Sequence, residues 1–328
     1  MERFSAVIIR LHDISACSVI AFFVFLLHGL AWSQQVPDSN VKTSVENSAY
    51  TDIHPKVLFD EAHFNVHTSQ GTYKAFVDLM TSDGCEILAN SKPFSAETLE
   101  GYAVLITSNA RGSAQRSEKP AFTELECDAV RDWVHAGGGL LLVVDHYPTG
   151  HAAENLAKRL DVDLSKGTTI DRASAPPGAG LGGAILFSQE SNRLGDHPIT
   201  RGRNESERVH RVVTFTGQSL KGPPNSTSLL ILSDTAVDMM LSDAGSNATP
   251  SPRRRSPIAS NAPQVSAVGR SQGIAFEFGK GRVVVLGEAS QLSAQRAGPG
   301  QQAMGMNYSE CDNRQWGVNI MHWLSKLL

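Results

Sequence analysis

Two apolar runs in this chain end in an acid and an imidazole. Lys56-Val57-Leu58-Phe59 leads into Asp60-Glu61-Ala62-His63, and Leu140-Leu141-Leu142-Val143-Val144 leads into Asp145-His146-Tyr147. Mixed carboxylate and imidazole donors suit a divalent metal such as zinc or manganese, and the same groups can serve as acid and base. Ser108 and Asn109 close a third apolar run, and Glu288 follows a fourth. In an open parallel sheet, ligands lie outside the carboxyl ends of the strands, where the strand order reverses. Asp60, His63, Ser108, Asn109, Asp145, His146 and Glu288 would then share one rim, with neighbouring strand ends about 5 Å apart. In a plainer reading, Asp60 and Asp145 cap the turns that follow them and the histidines are partly buried side chains. The Asp60-x-x-His63 spacing belongs to a loop and not to a helical metal motif. His197, in Asp196-His197-Pro198-Ile199, fits a local turn role better than a catalytic one.

The elements that must carry these groups alternate. Val57–Asp60 reads as a strand, Thr72–Met80 as a helix and Glu86–Ala89 as a second strand. Ser95 caps a short helix, and Ala103–Thr107 is a third strand. Thr123 with Glu126 forms a capping box. The helix it opens carries Leu125, Ala129, Val130, Trp133 and Val134 on one face and stops at Gly137-Gly138-Gly139. Leu140–Val144 is a fourth strand, followed by a helix with Ala153, Leu156, Ala157 and Leu160 inward. Helices starting near Thr72 and Thr149 would add positive dipole ends and favour an anionic or carboxylate-coordinated ligand. Beyond Ser165, Ala184–Phe187, Val209–Phe215 and Leu229–Leu232 are strand-like without long helices between them. Gly273–Phe278 and Arg282–Leu286 form a hairpin about Gly279-Lys280-Gly281. A last helix, Asn313–Leu327, places Trp316, Ile320, Trp323, Leu324 and Leu327 together. The expectation is an α/β fold, flavodoxin-like and doubly wound, with a mostly parallel sheet, a C-terminal β-hairpin and a terminal helix.

Residues 1–33 stand apart. Arg3 and Arg10 precede an apolar stretch from Ile14 to Ala31, and Ala31-Trp32-Ser33 presents small residues before Gln34. This is the pattern of a cleaved signal peptide and implies a secreted or periplasmic protein, with the membrane a partner only if the segment is kept. Residues 34–54 read as a flexible lead-in, 55–328 as one domain, and 243–270, rich in Ser, Pro, Ala and Asn with Arg253-Arg254-Arg255, as a surface insertion. Gly178–Gly183 is a mobile glycine-rich loop with no phosphate fingerprint. The net charge of −4 argues against nucleic acid as a partner. Cys85, Cys127 and Cys311 are too sparse for a disulfide scaffold, and either one bridge or three thiols fits them. N-glycosylation sequons begin at Asn204, Asn225, Asn247 and Asn307.

With these residues placed, the chain resembles the class I glutamine amidotransferase-like superfamily, and more narrowly the secreted DUF4350-type and ThuA-like domains. The resemblance rests on Val57–His63, Gly137–His146, Asp196–Gly202 and Gly279–Glu288 with Asp312–Trp316, and spans roughly residues 55–325. Catalytic members of the superfamily carry a Cys on the elbow after the fourth strand and a His near the last strand. Here the elbow reads Asp145-His146-Tyr147, and Gly287-Glu288-Ala289-Ser290 holds no His. The resemblance therefore implies the fold without the triad, since a nucleophile needs a base within reach.

Two functions follow from the residues. One is a binding domain that holds a small molecule, glycan or protein partner in the crevice. The other is a metal-assisted hydrolase in which Asp60, His63, Asp145 and His146 bind a divalent metal and Glu288 acts as base. The leader makes its own prediction: exported protein begins near Gln34 by intact mass, and retention of Met1 would indicate an anchor.

Overall fold

The computed structural model describes residues 35–114, 119–147, 149–177, 183–240, 262–298 and 300–328. The expected signal segment, most of the Gly178–Gly183 loop, Arg253–Arg255 and the Asn247 sequon lie outside these residues. Among the described residues, nine strands form the main sheet: β1 (Lys56–Asp60), β2 (Glu86–Asn90), β3 (Val104–Ser108), β4 (Gly139–Val143), β5 (Asp163–Leu164), β6 (Leu220–Lys221), β7 (Thr227–Ile231), β8 (Ser271–Phe278) and β9 (Gly281–Leu286). Their order is β2-β1-β3-β4-β9-β8-β6-β5, with β7 also paired to β8.

The strands from β2 to β9 are parallel neighbours. Counted along the chain, they run second, first, third, fourth, fifth, the order of flavodoxin-like sheets. The remaining ladders, β9–β8, β8–β6, β8–β7 and β6–β5, are antiparallel. The sheet is therefore mixed and not mostly parallel. The C-terminal hairpin is the cause: β9 enters as the fifth parallel strand and its partner β8 must run the other way. The turn between them is Gly279-Lys280, with Gly279 at φ +61, a conformation open to glycine and strained for most other residues.

Both faces of the parallel half are covered, so its strands read as continuous apolar runs. Successive side chains alternate in direction. Val57 and Phe59 face one cluster with Phe76, Leu79, Trp316 and Ile320. Leu58 faces another with Phe122, Cys127, Val130 and Leu156. The Glu124–Ala136 helix opens on the expected box: Thr123 Oγ1 accepts the Glu126 N–H, and Glu126 Oε2 accepts the Thr123 N–H at 2.9 Å. Its buried stripe is Cys127, Val130 and Val134; Leu125 is 82% exposed, because residues 126, 127, 130 and 134 are the ones turned toward the sheet. Gly137, at φ +136, ends the helix.

Other expectations shift in detail. The helix expected from Thr72 spans Lys74–Ser82. The last helix is Asn313–Leu324, and Leu327 is 39% exposed beyond it. His197 caps the Pro198–Arg201 turn, its Nδ1 accepting the Ile199 N–H. Residues 35–54, expected as a flexible lead-in, are tied down. Val36–Pro37 pairs with Ala294–Ala297, Asp38 bonds Arg296 at 2.8 Å, and Ala49 N–H donates to Asp83. Gln264–Ser266, at the end of the expected insertion, is a strand on Val237–Met240. Cys85, Cys127 and Cys311 are free thiols. Among the described residues no helix is long and apolar enough to cross a membrane.

Thr123→Ala removes an N-cap and should cost about 1 kcal/mol. A chemical denaturation curve that moves by less than ~0.3 kcal/mol would show the box to be ornamental.

Candidate functional site

The strand order puts β1, β3, β4 and β9 side by side, so their carboxyl ends form one rim. Asp60 ends β1, and Ser108 and Asn109 end β3. Asp145 follows β4, and Glu288 follows β9. Asp60 and Asp145 stand two strand steps apart on the same end of the sheet. The two Asp/His pairs nevertheless differ in their surroundings.

Asp60 is fully buried and saturated. Its Oδ1 accepts His63 Nδ1–H at 2.7 Å and the Ala62 N–H at 3.1 Å; its Oδ2 accepts Thr107 Oγ1–H at 2.7 Å and Asn65 Nδ2–H at 3.1 Å. The other His63 nitrogen, Nε2, lies 2.8 Å from Glu126 Oε1. Phe94 and Phe122 pack on the imidazole, with ring centroids 4.7 and 4.8 Å away. Burial alone would lower the His63 pKa, but the Asp60 and Glu126 carboxylates outweigh it and the net direction is up. Burial pushes Glu126 up, yet the Thr123 N–H and His63 hold it below the ordinary glutamate range. The group is thus a carboxylate–imidazolium–carboxylate chain that ties the β1 loop to the Glu124–Ala136 helix. The sequence singles out Glu126 only as a capping residue; its second oxygen serves as the partner of His63.

This arrangement does not fit a metal bound at Asp60 and His63, because both ring nitrogens and both carboxylate oxygens are already engaged. Among the described residues no group of three or more His, Cys, Asp and Glu side chains is placed to hold a metal ion. Asp60 and His63, expected as ligand-binding residues, brace the rim from beneath.

Asp145 sits in the opposite condition. Its side chain is 13% exposed and ion-paired with no Lys or Arg among the described residues. It accepts the His146 N–H at 2.7 Å and is further held by the Ala289 N–H and the Asn109 side chain. His146 is at the mouth, 32% exposed. Its Nδ1 lies 3.0 Å from Tyr147 O, and its Nε2 stands 3.7 Å from Asp145 Oδ1. Glu288 is sealed behind, with its two oxygens accepting the Ser290 and Gln291 N–H groups at 2.7 and 2.8 Å. Burial first, and the Asp145 charge second, raise the Glu288 pKa to about 8; burial also raises that of Asp145. The Asp145 charge thus disfavours ionisation of its buried neighbour, and Glu288 keeps its proton near neutrality.

Around this pair are polar atoms without partners. Asn109 Oδ1 and Gln218 Nε2 are buried and make no hydrogen bond. Ser108 Oγ lies beside the Tyr73 hydroxyl without meeting hydrogen-bond geometry, since that hydroxyl donates to Ala289 O at 2.7 Å. Gln218 comes in on the antiparallel side: its N–H donates to Gly287 O, and its amide presses on Gly150, where a Cβ would fall 2.1 Å from Nε2. Neither Gln218 nor Tyr73 carries a sequence signal, because both arrive through pairings distant in the chain. Strain collects here too. Asn109 has φ +49, and Phe64 has φ +52 and is 51% exposed on the loop whose Val66 N–H donates to Asn109 O. The Thr149–Ala152 helix is a single turn, too short to supply the dipole expected of it. A groove of about 330 Å³ lined by Ile170, Arg172, Val237, Met239 and Gln264 lies elsewhere, on the small sheet of Gly167–Ile170, Val237–Met240 and Gln264–Ser266, and contains no rim residue.

No protein-family model and no curated protein matches this sequence. Among solved structures, the chain is similar to the mmIFT52 N-terminal domain, with a TM-score of 0.54 and 14% identity over 82% of this chain and 97% of that one. It is also similar to a putative ThuA-like protein from Bacteroides uniformis, with a TM-score of 0.42 and 14% identity over 84% and 94% of the two chains. A putative GMP synthase protein from Thermoplasma acidophilum is similar too, with a TM-score of 0.41 and 8% identity over 84% and 97%. At such identities the first likeness speaks for the fold alone, and the looser two are similarities without further weight.

The Asp145–Glu288 pair has a pH signature. Glu288 holds its proton in the fold up to about pH 8, whereas an unfolded glutamate loses it near its ordinary value of 4.5. Its stabilising contribution is therefore complete below about pH 4.5 and is lost as pH rises to about 8, by up to ~1.4 kcal/mol per unit. Asp145→Asn removes the charge that helps to raise Glu288 and should flatten the fall in stability between about pH 5 and 8. His63 shifts in the same direction but is present in both proteins, so the difference isolates the pair. Equal slopes in denaturant titrations across that range would refute the coupling.

Proposed function

We propose that this protein is an exported or periplasmic ligand-binding domain of the amidotransferase-like, DUF4350-type kind, with the crevice at the ends of β1, β3, β4 and β9 as its site and no amidase chemistry of its own. One observation carries the reading. Buried polar atoms are almost always paired, yet Asn109 Oδ1 and Gln218 Nε2 lack partners, and both lie beside the partly exposed Asp145 carboxyl or the turn that follows it. Unmatched donors and acceptors gathered at a strand-end rim suit a ligand with complementary groups.

The elbow after β4 supplies no nucleophile. The cysteines offer no replacement: burial pushes the thiols of Cys85, Cys127 and Cys311 up to about 12, far from the thiolate that attack requires. The metal-assisted alternative loses two of its four ligands to the Asp60–His63–Glu126 chain. The candidate ligand classes are small molecules, glycans and a protein segment. A stability screen separates them, because a ligand of the native state raises the melting temperature by mass action.

The expected result is a ligand whose concentration-dependent stabilisation disappears in Asp145→Asn and weakens in Gln218→Ala. A ligand that stabilises both variants as it does the parent would place binding outside the crevice. In parallel, glutamine should yield no ammonia; release that is abolished by changing His146 or Glu288 would restore the amidase.

A further inference from the structure

We propose that the crevice receives the ammonium group of a small primary amine that also carries a hydroxyl or carbonyl oxygen, an inference that rests on the crevice being a binding site. Asp145 presents its exposed edge, and Asn109 directs its amide to the same carboxyl. The Asn109 side-chain nitrogen is used there, so the unpaired atom is its oxygen, buried in a residue only 5% exposed. With Glu288 behind, the end of the crevice offers acceptors and negative charge but no Lys or Arg partner among the described residues.

The complement of that set is a cation with several N–H donors. An ammonium has three donors and no acceptor, and its bonds to carboxylate are the strong, charge-assisted kind. A hard divalent ion would need about six or more oxygen ligands. Glu288 has both of its oxygens on backbone N–H groups, and Asp145 is held by the His146 N–H. An anion would meet repulsion from the pair. Gln218 Nε2 is an unmatched donor, held against Gly150, whose own N–H donates to Asp145 O at 2.9 Å. It calls for an oxygen acceptor elsewhere on the same small ligand.

A bound cation also competes with the proton held by Glu288. The groups that face the pair are His146 at the mouth and the Tyr73 hydroxyl from the start of the Lys74–Ser82 helix; His67 stacks on Tyr73 with ring centroids 4.6 Å apart. His67 stays neutral in this range, its pKa lowered by burial to about 4. Tyr73 is pushed well above the ordinary tyrosine value, by burial first, and stays protonated. With Glu288 raised to about 8 by burial and then by Asp145, an ammonium placed beside the pair favours release of the Glu288 proton near neutral pH. Affinity should then rise with pH toward about 8, by at most about tenfold per pH unit.

Isothermal titration calorimetry of the purified protein tests this with ethanolamine, ethylene glycol, glycolate and calcium chloride between about pH 6 and 8. The expected result is one ethanolamine bound about tenfold tighter than ethylene glycol, or better, with proton release and a matching pH slope. Asp145→Asn should lose about tenfold or more. If Asp145→Asn fails to fold, Asn109→Gly removes the unpaired oxygen while suiting the left-handed backbone at φ +49, and should show a similar loss. Ethylene glycol, glycolate or calcium binding better than ethanolamine, in a manner sensitive to Asp145→Asn, would overturn the ammonium and keep the crevice as a site. Ethanolamine binding indifferent to both variants, or no binding at all, would also overturn it. The crevice reading itself fails only if the stabilising ligand of the broader screen ignores Asp145→Asn.

Discussion

The chain of charges from Asp60 through His63 to Glu126 is what the rim is built upon. A carboxylate buried at the end of a central parallel strand is costly unless every lone pair is answered. Here an imidazole, a side-chain amide, a threonine hydroxyl and a backbone N–H answer it. His63 in turn meets a second carboxylate, Glu126 at the start of the Glu124–Ala136 helix, and the two acids together favour its protonated form. Removing one partner from such a buried pair costs about 3–5 kcal/mol, because the others are left charged and dry. The chain therefore locks the loop after β1 to the helix after β3, and that loop carries the Val66 N–H that holds Asn109 in its left-handed conformation.

Against this stands the Asp145–Glu288 pair, further along the rim. It has no imidazolium bridging its members and, among the described residues, no guanidinium or ammonium beside it. It settles its charge by keeping a proton instead. The contrast assigns the two Asp/His pairs to different work. A carboxylate whose hydrogen bonds are complete gives a rigid wall. One that faces unmatched amides beside a protonated neighbour is poised to exchange that proton for a cation. Strained backbone at Asn109 is tolerated between the two because the saturated side is stiff enough to impose it.

The antiparallel half of the sheet contributes more than bulk. Because β8 runs antiparallel to β9 and β6 pairs with β8, the segment just before β6 reaches the rim and brings Gln218 against Gly150 and Gly287. The start of the segment at 35–54 closes the same end of the molecule, Val36–Pro37 pairing with the Ala294–Ala297 strand that follows Glu288 and Asp38 anchoring on Arg296 and Asn307, while Ser48 and Ala49 tie the rest to Asp83 before β2. These long-range pairings have no local periodicity to betray them, which is why a polar lead-in reads as flexible until its partners are in place.

Much of the frame was legible from the sequence. Continuous apolar strands, the Thr123–Glu126 box, the Gly137 stop and the glycine turn at 279 are local signals, set by hydrophobic period, by capping and by φ preference, and each forms where the sequence places it. The sequence also determined which side chains reach the strand ends, because that depends only on where each apolar run stops. Only the tertiary structure decided what those side chains do there. Whether a carboxyl group is braced by an imidazolium or left beside a protonated acid depends on Glu126 and Glu288 arriving from distant segments, and the free energy of a buried charge is set by its neighbours in space, not by its neighbours in the chain.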